Sequence, residues 1–584
     1  MEKIATDVLV VGGGTGGTVA AIQAARCGVQ TVLVSEFVWL GGMLTAAGVA
    51  APDGNELAAW QTGIWGAFIR ELQQKQSGGL DHAWVSLFTY DPRVGAAIFA
   101  DWVQQLPNLT WIQGQTPKQI LKHQNAVKGV RFEDYLIEAK ITIDGTELGD
   151  LLALGDLPHR WGWELQAEFD EPSAPVDFNQ LTNKYPVQSP TWVFLLQDYG
   201  EDNLASEIIP NSQPTNTSFQ GAWDNYGTEE FLNYGRLPNN LFMINWPIGG
   251  NDYGRGLNRL IESETEAQFL REAYDHSLDF AHYIQSQLGK RYGLASSIFP
   301  GNNAFALHPY YRESRRLRGQ ITITEHDILS IENSSVAPLP KTTTGEINAT
   351  TEGSSEAIAI GNYPNDHHYP GEEFTLQPKS IHWGGRWTGT PFTIPYGALF
   401  SEQVEGFLVC EKNISVSHIA NGSTRLQPVV MNIGQAAGMA AALCVQTNCQ
   451  PWELSIRSLQ EALITDRDAP AAVIPLFNLP PEHPEWLKWQ RYYLDHPEDY
   501  PGDGNCFCQN FSVVKPRGNY YQGIFSCQGN NYQISLIEPN QIWQLITIYP
   551  DVEQKLREYP TGKLISVVGR INASGNWLLI EAIL

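Results

Sequence analysis

Positive charge is what this sequence has least of. Across 584 residues, 37 Lys and Arg face 63 Asp and Glu, a formal net charge of −26 at pH 7. That balance argues against nucleic acid or an anionic membrane as the main partner. It suits an acidic soluble surface and would also attract a cationic substrate. Cysteine is scarce: seven thiols in a chain this long make no disulfide framework, and no C-x-x-C occurs. Cys506 and Cys508, one residue apart and near Cys527, read as incidental thiols, with a metal or redox role as the alternative. No uninterrupted apolar run is long enough to span a bilayer. The opening residues show no basic stretch, apolar core and cleavage site, so the expectation is a cytoplasmic protein without a membrane span. Metal-ligand spacings, a G-x-S-x-G elbow and a P-loop are missing too, which leaves hydrolase and kinase readings without support.

What is present is concentrated in Asp7 to Glu36, DVLVVGGGTGGTVAAIQAARCGVQTVLVSE. Val8 to Val11 is a β-branched run of the kind found in buried parallel strands. Gly12, Gly14 and Gly17 then fit G-x-G-x-x-G, with Thr15 and Gly16 between them. Thr18 to Cys27 is small and apolar and predicts a helix packed closely on a sheet, stopped by Gly28. Thr31 to Ser35 predicts a second strand with Glu36 at its end. The first glycine allows a tight turn, the second lets backbone approach a pyrophosphate, and the third lets helix and strand touch. The helix N-terminus offers free N–H groups and a positive dipole end to phosphate. Glu36 is placed to accept hydrogen bonds from ribose hydroxyls and would repel a 2′-phosphate, which points to FAD or NAD rather than NADP.

A chain of this length needs two or three domains. Gly63 to Gln74 and Arg93 to Gln105 predict amphipathic helices, and Leu109 to Gln113 a strand. Lys118 to Lys122 with Ala126 to Phe132 predict a hairpin, on which Ile120 is counted as a cofactor contact. Glu138 to Ile143 predicts a strand running into Asp144-Gly145-Thr146, either a return of the chain to the cofactor or a plain turn. From Leu151 to Lys379 Trp, Tyr, Asn, Pro and Gly become frequent and periodicity weakens; Ser263 to Leu288 is the clearest helix there. Those aromatics suit either a pocket for a ring-shaped or sugar-like ligand or the filling of an irregular core. Phe407 to Val409 predicts a buried strand, and Pro428 to Val445 an Ala-rich helix whose Gly434 face admits a sheet or a flat cofactor. Residues from about 480 to 505 predict a linker. Phe511 to Leu584 predicts short strands closing as a small OB-like barrel, suited to packing or oligomerisation.

These residues together resemble the FAD-dependent oxidoreductases of the glutathione-reductase superfamily, sometimes labelled xanthan lyase-like. The resemblance rests on GGGTGG with Glu36, LGGM (Leu40 to Met43), IDGTELGDL, YYRESRRLRG, IPYGAL and GQAAGMAAAL, and covers about Asp7 to Val445. It implies an α/β fold with a Rossmann-like FAD-binding domain of the glutathione-reductase type (1–150 and 380–480); the residue pattern itself adds an inserted α+β substrate domain (151–379), a linker (481–510) and a C-terminal all-β, OB-like barrel (511–584), the barrel lying outside the family pattern. The resemblance implies non-covalent FAD, with Gly12, Gly14 and Gly17 at the pyrophosphate, Glu36 at the ribose, Gly41, Gly42 and Met43 near the flavin, and Gly434 and Gln435 at its pyrimidine edge. After the late strand the family often has Gly followed by Asp or Arg; here Glu411-Lys412 stands there, so the ribityl contact falls to Glu411.

A single G-x-G-x-x-G argues against a built-in NAD(P)H domain, so electrons are expected from the substrate itself, as hydride from a carbon bearing OH or NH. They leave to oxygen, a quinone or a carrier protein. Oxidation of an alcohol, sugar derivative, amine or amino acid needs a base. His418 is the first candidate, with His308 and His382 behind it. Arg312, Arg315 and Arg425 are candidates to clamp a carboxylate, and Tyr311 to donate a hydrogen bond. Rival readings are a reductase of an unsaturated substrate fed by an external donor, and a non-catalytic flavin-binding or scaffold protein.

Overall fold

The computed structural model describes residues 1–211, 219–262, 264–341, 354–378, 380–508 and 516–584. The expected boundaries at Ser263, Lys379 and Phe511 lie outside the described residues. The organising layer is a seven-stranded sheet. Its strands in chain order are β1 (Glu2–Val11), β2 (Thr31–Ser35), β3 (Leu109–Gln113), β4 (Gln119–His123), β5 (Ala126–Arg131) and β6 (Tyr135–Asp144), followed much later by Phe407–Val409. The spatial order is β3-β2-β1-β6-β5-β4, with Phe407–Val409 also paired to β6. Strands β3, β2, β1 and β6 are parallel, while β4 and β5 form an antiparallel hairpin. The run Val8 to Val11 accounts for only the buried end of β1. The strand reaches back to Glu2 because β6 pairs with it over its whole length, from Glu2↔Tyr135 to Val11↔Asp144. The other edge of β6 is shared: its start pairs with β5 and its end with Phe407–Val409. The chain therefore leaves this sheet after β6 and comes back to it some 260 residues later.

Helix α1 (Thr15–Arg26) follows β1 through the glycine turn. Against it lies the long helix Gln427–Thr447. A Cβ on Gly434 would overlap the Gly16 backbone, and one on Gly438 the Ala20 backbone. The small-residue face thus serves helix–helix contact, correcting the expectation that it meets a sheet or a flat cofactor. Among the described helices Gln427–Thr447 is long and apolar enough, by length and composition, to cross a membrane, but Asn432 and Gln435 interrupt it and most of it is buried inside the protein.

Between β6 and the return strand a second, four-stranded antiparallel sheet forms from Arg236–Leu237, Leu241–Ile244, Phe194–Asp198 and Tyr292–Leu294. Helix Glu266–Leu288 packs on it, Phe280 and Ile284 joining Phe194, Phe242 and Trp246 in one apolar cluster. Trp246 meets Phe231 edge-on and donates its indole N–H to the Ala222 carbonyl. Here the aromatic residues fill a core. The stretch expected as a linker carries a helix, Trp486–Asp495. At the C-terminal end five strands, Asn519–Gln528, Asn531–Leu536, Ile542–Ile546, Leu564–Asn572 and Trp577–Ile583, close a barrel. Helix Pro550–Glu558 lends Val552 and Leu556 to the barrel core. The barrel is fastened to the rest of the chain by Asn572 Nδ2 to the Ala83 carbonyl (2.8 Å) and Trp577 Nε1 to Asp81 (3.2 Å).

Candidate functional site

The carboxyl ends of β1 and β6 are where a doubly wound sheet binds its ligand. A cavity of about 720 Å³ opens there. It is lined by Gly12 to Gly14 and Gly145, by Glu36 with Gln115 to Lys118, and by Glu147, His308 and Tyr311. Bare backbone is required at the glycines. A Cβ on Gly12, whose φ is +105°, would overlap Gly145, and one on Gly17 would overlap the Gly12 carbonyl.

Glu36 is open to water in the cavity yet ringed by protein. Burial first, then the charges of Asp150 and Glu266, push its carboxyl up to about 7. At the α1 N-terminus, Glu411 accepts from the Gly16 N–H at 2.5 Å. Lys412 Nζ bridges Glu147 (2.5 Å) and Glu411 (3.2 Å), with no exposed surface on Lys412 or Glu411. Burial and the neighbouring Glu147 raise Glu411 to about 7 despite Lys412. Glu147 moves the other way: against its burial, Lys412 and His308 hold it low. The departure Glu411-Lys412 therefore forms a salt-bridge knot behind the glycine turn.

Of the expected cofactor contacts, Gly12, Gly14 and Glu36 line the cavity. The others support it from behind. Thr15 donates to the Gly41 carbonyl (2.9 Å), and Gly41 N donates to Gly13 O (3.1 Å) and Thr18 Oγ1 (3.0 Å). Gly42 and Met43 form a buried turn beside them. Gly16 backs onto the Cys410 carbonyl. Ile120 is buried under Gly155 rather than in the cavity, where Gln115 to Lys118 stand instead. Asp144 is a turn-former: its carboxylate accepts from Thr146 N (3.0 Å), Thr146 Oγ1 (2.7 Å) and Leu151 N (3.1 Å). Gln435 accepts from Ile64 N (2.9 Å) and donates to the Ala469 carbonyl (2.7 Å), far along the helix from any free terminus.

The expected catalytic residues separate into three places. Tyr311, Arg315 and His308 line the cavity. Arg315 is held there by the Leu148 carbonyl (2.9 Å) and Asp150 (3.4 Å). His308 stacks on Phe37 at 4.9 Å. Its Nδ1 lies 2.8 Å from the Pro309 carbonyl, an acceptor, so Nδ1 carries the proton and Nε2 the lone pair. Nε2 has no partner among the described residues. Burial keeps the ring neutral by lowering its pKa, with Glu147 pulling the other way.

His418, Arg312 and Arg425 sit in a buried network outside that cavity. His418 is fully buried, with Nδ1 2.8 Å from Glu313, Nε2 2.6 Å from the Tyr369 hydroxyl and the Trp163 ring tilted against it at 3.8 Å. Burial, then Arg316, hold its pKa well below the usual histidine value. Arg312 donates to the Ser189 carbonyl (2.6 Å) and pairs with Asp252 (3.3 Å), which also binds His368 (2.6 Å). Arg425 donates to the Tyr310 hydroxyl (2.7 Å) and pairs with Asp366 (3.2 Å). Both arginines are committed to protein partners. His382 stands on a separate hairpin, edge-on to Trp387, and lines a different cavity. Sequence reasoning missed Glu147, Gln115 to Lys118, Asp252 and Asp366. Only Glu147 had a signal, as part of the turn after Asp144.

Parallel sheet, glycine turn and an acid at the end of β2 on the cavity wall define a dinucleotide-binding fold. The family model described as FAD dependent oxidoreductase matches residues 7–463, and the chain belongs to that family: it is an FAD-dependent enzyme. The residues present fit FAD, with a glycine-lined cavity reaching Glu36, although the Gly16 N–H is already taken by Glu411. Among solved structures, a geranylgeranyl bacteriochlorophyll reductase-like protein of Thermoplasma acidophilum is 11% identical, covering 80% of this chain and 84% of that one at a TM-score of 0.32. L-Proline dehydrogenase from P. horikoshii is 13% identical over 34% of this chain and 62% of its own, TM-score 0.22. GidA of Aquifex aeolicus is 21% identical, covering 24% of this chain and a quarter (25%) of that chain's length, TM-score 0.18.

Proposed function

We propose that this enzyme takes a hydride from a small polar substrate, an alcohol, sugar derivative, amine or amino acid, with His308 as the base. FAD, held without a covalent link, supplies the two-electron acceptor when bound. The observation that carries the reading is His308 on the cavity wall, with its tautomer fixed by Pro309 and its Nε2 without a partner among the described residues. A neutral imidazole so fixed can accept the proton of a substrate O–H or N–H. The Glu147 carboxylate favours the imidazolium that results, and Lys412 keeps Glu147 ionised. Tyr311 and Arg315 remain to orient polar groups of the substrate. His418 is read as a positioning residue that ties Glu313 to Tyr369. The segment between β6 and Phe407 is read as the substrate domain. The closed five-stranded barrel with its one helix supports the OB-like reading of the C-terminal unit.

The test is an anaerobic visible spectrum of the FAD-loaded enzyme with panels of alcohols, sugars, amines and amino acids. Bleaching by one class identifies the substrate, and admission of air then separates an oxidase from a dehydrogenase using a quinone or carrier. In His308→Asn the bleaching rate should fall by about 10²–10⁴. An unchanged rate in that variant, or a comparable loss confined to His418→Asn, would reject His308 as the base.

A further inference from the structure

A second cavity, of about 590 Å³, lies between the Ser380–Gly389 hairpin, the barrel helix Pro550–Glu558 and the segment around Asp503. It shares no lining residue with the cofactor cavity. Cys508 is on its wall, together with His382, Asn478 and Arg557. Beneath Cys508 is Cys506, which is 4% exposed. The two sulfurs are 2.6 Å apart, so one thiol donates to the other. Both are free thiols.

The loop that carries them is fixed. Asn478 grips Cys506 at both ends of its peptide groups, Nδ2 donating to the Cys506 carbonyl and Oδ1 accepting from the Cys506 N–H, each at 2.9 Å. The Cys508 N–H folds back on the Cys506 carbonyl at 2.9 Å. The same Asn478 Nδ2 lies 3.5 Å from Cys508 Sγ, a donor aimed at that sulfur. Between them Phe507 is 94% exposed, so the segment is tethered by the two cysteines and Asn478, not by burial of its central side chain.

We propose that Cys506 and Cys508 form a dithiol–disulfide exchange site, acting on a low-molecular-weight disulfide admitted to this cavity. An outer thiol on a cavity wall with an inner thiol in contact behind it is the arrangement of an attacking and a resolving sulfur. Cys508 as thiolate attacks one sulfur of the substrate R–S–S–R. The S–S bond breaks, one R–S⁻ leaves, and a Cys508–S–S–R bond forms. The Cys506 thiol gives its proton to the departing sulfur and attacks Cys508 Sγ, releasing the second R–S⁻, which picks up a proton from water. One disulfide is reduced to two thiols and the cysteine pair is oxidised to a disulfide. The directions of the two thiol pKa values agree with these roles. The hydrogen bond from Cys506 lowers that of Cys508, while the same contact and then burial raise that of Cys506. The cavity is of the size that takes small ligands.

The test uses the full-length, FAD-loaded protein with oxidised glutathione as the probe, read by peptide mass mapping so that each cysteine is followed separately. Cys527, which is partly exposed in the barrel, serves as the internal reference. With wild type, the peptide carrying Cys506 and Cys508 should lose two hydrogens and accumulate no glutathione. With Cys506→Ser a glutathione adduct should be trapped on Cys508, and with Cys508→Ser none should form on Cys506. Alkylation of Cys508 near neutral pH should be about tenfold or more faster than that of Cys527, following its larger thiolate fraction. Equal alkylation rates, or failure of Cys506→Ser to trap the adduct while its flavin spectrum stays native, would overturn the proposal.

Discussion

Replacing Lys412 by Met tests the salt-bridge knot behind the glycine turn. In the wild type one ammonium serves two carboxylates, at 2.5 Å from Glu147 and 3.2 Å from Glu411, none of the three in bulk water. Methionine keeps the length of the stem and removes the charge. Glu411 is then fully buried and Glu147 largely so, without a cation, and they must either remain charged or bind protons. Removing one partner of a buried pair costs about 3–5 kcal/mol. Protonation sets a ceiling on that cost. At pH 8, protonating a carboxyl of ordinary pKa about 4.3 costs roughly 5 kcal/mol, and at pH 5 only about 1 kcal/mol. The loss should therefore be about 3–5 kcal/mol at pH 8 and should shrink toward about 1–2 kcal/mol at pH 5.

The wild-type background has a defined sign over the same range. Lys412 is raised above its ordinary value, burial being outweighed by Glu147 and Glu411, so its contribution is complete below about pH 10.4 and is lost only as pH rises through the folded value. Glu147 is lowered and contributes above its ordinary value of 4.5, losing that contribution as pH falls through the folded one. Glu411, raised to about 7, loses stability as pH rises from 4.5 through about 7. Urea melts followed by tryptophan fluorescence, with saturating FAD, at pH 5 and pH 8 measure the difference. A Lys412→Met protein within about 1 kcal/mol of wild type at pH 8, or one that loses more at pH 5 than at pH 8, would refute the reasoning.

Three further outcomes follow from the same geometry. Glu36 is raised to about 7 by burial, Asp150 and Glu266; with Glu36 proposed to accept ribose hydroxyl hydrogen bonds in its charged form, FAD affinity should fall as pH drops below 7. In Glu36→Gln the affinity, measured by flavin fluorescence quenching, should be about 10–100-fold weaker and nearly flat with pH. Gly434→Ala should destabilise by about 1–3 kcal/mol in the same melts, since the new methyl meets the Gly16 backbone of a neighbouring helix that cannot step aside. Arg312→Met should cost about 3–5 kcal/mol by leaving buried Asp252 short of its guanidinium. KM of the residual folded enzyme should stay unchanged, because Arg312 holds protein groups; a selective rise in KM would restore it as a substrate clamp.

The sequence alone determined the cofactor half of this protein, because local rules suffice there. Glycines at fixed spacing, a β-branched run before them and small residues after them dictate strand, turn and helix wherever the chain goes next. The strands Thr31–Ser35, Leu109–Gln113 and Phe407–Val409 fall where their residues predict. Glu36 is a cavity residue because strand β2 must end beside the turn. Tertiary structure decided the rest. Whether Gly434 faces a flavin or another helix depends on what packs against it, and that is α1. Which histidine is proposed as the base depends on which ring nitrogen has no partner among the described residues: three residues separate His308 from the buried Arg312, and both nitrogens of His418 are taken, by Glu313 and Tyr369. The arginines looked available because a sequence does not show their partners, and Asp252 and Asp366 lie about 60 residues from them along the chain. Charge pairing across such separations is set by the fold's long-range closures, which leave no periodic trace in the chain.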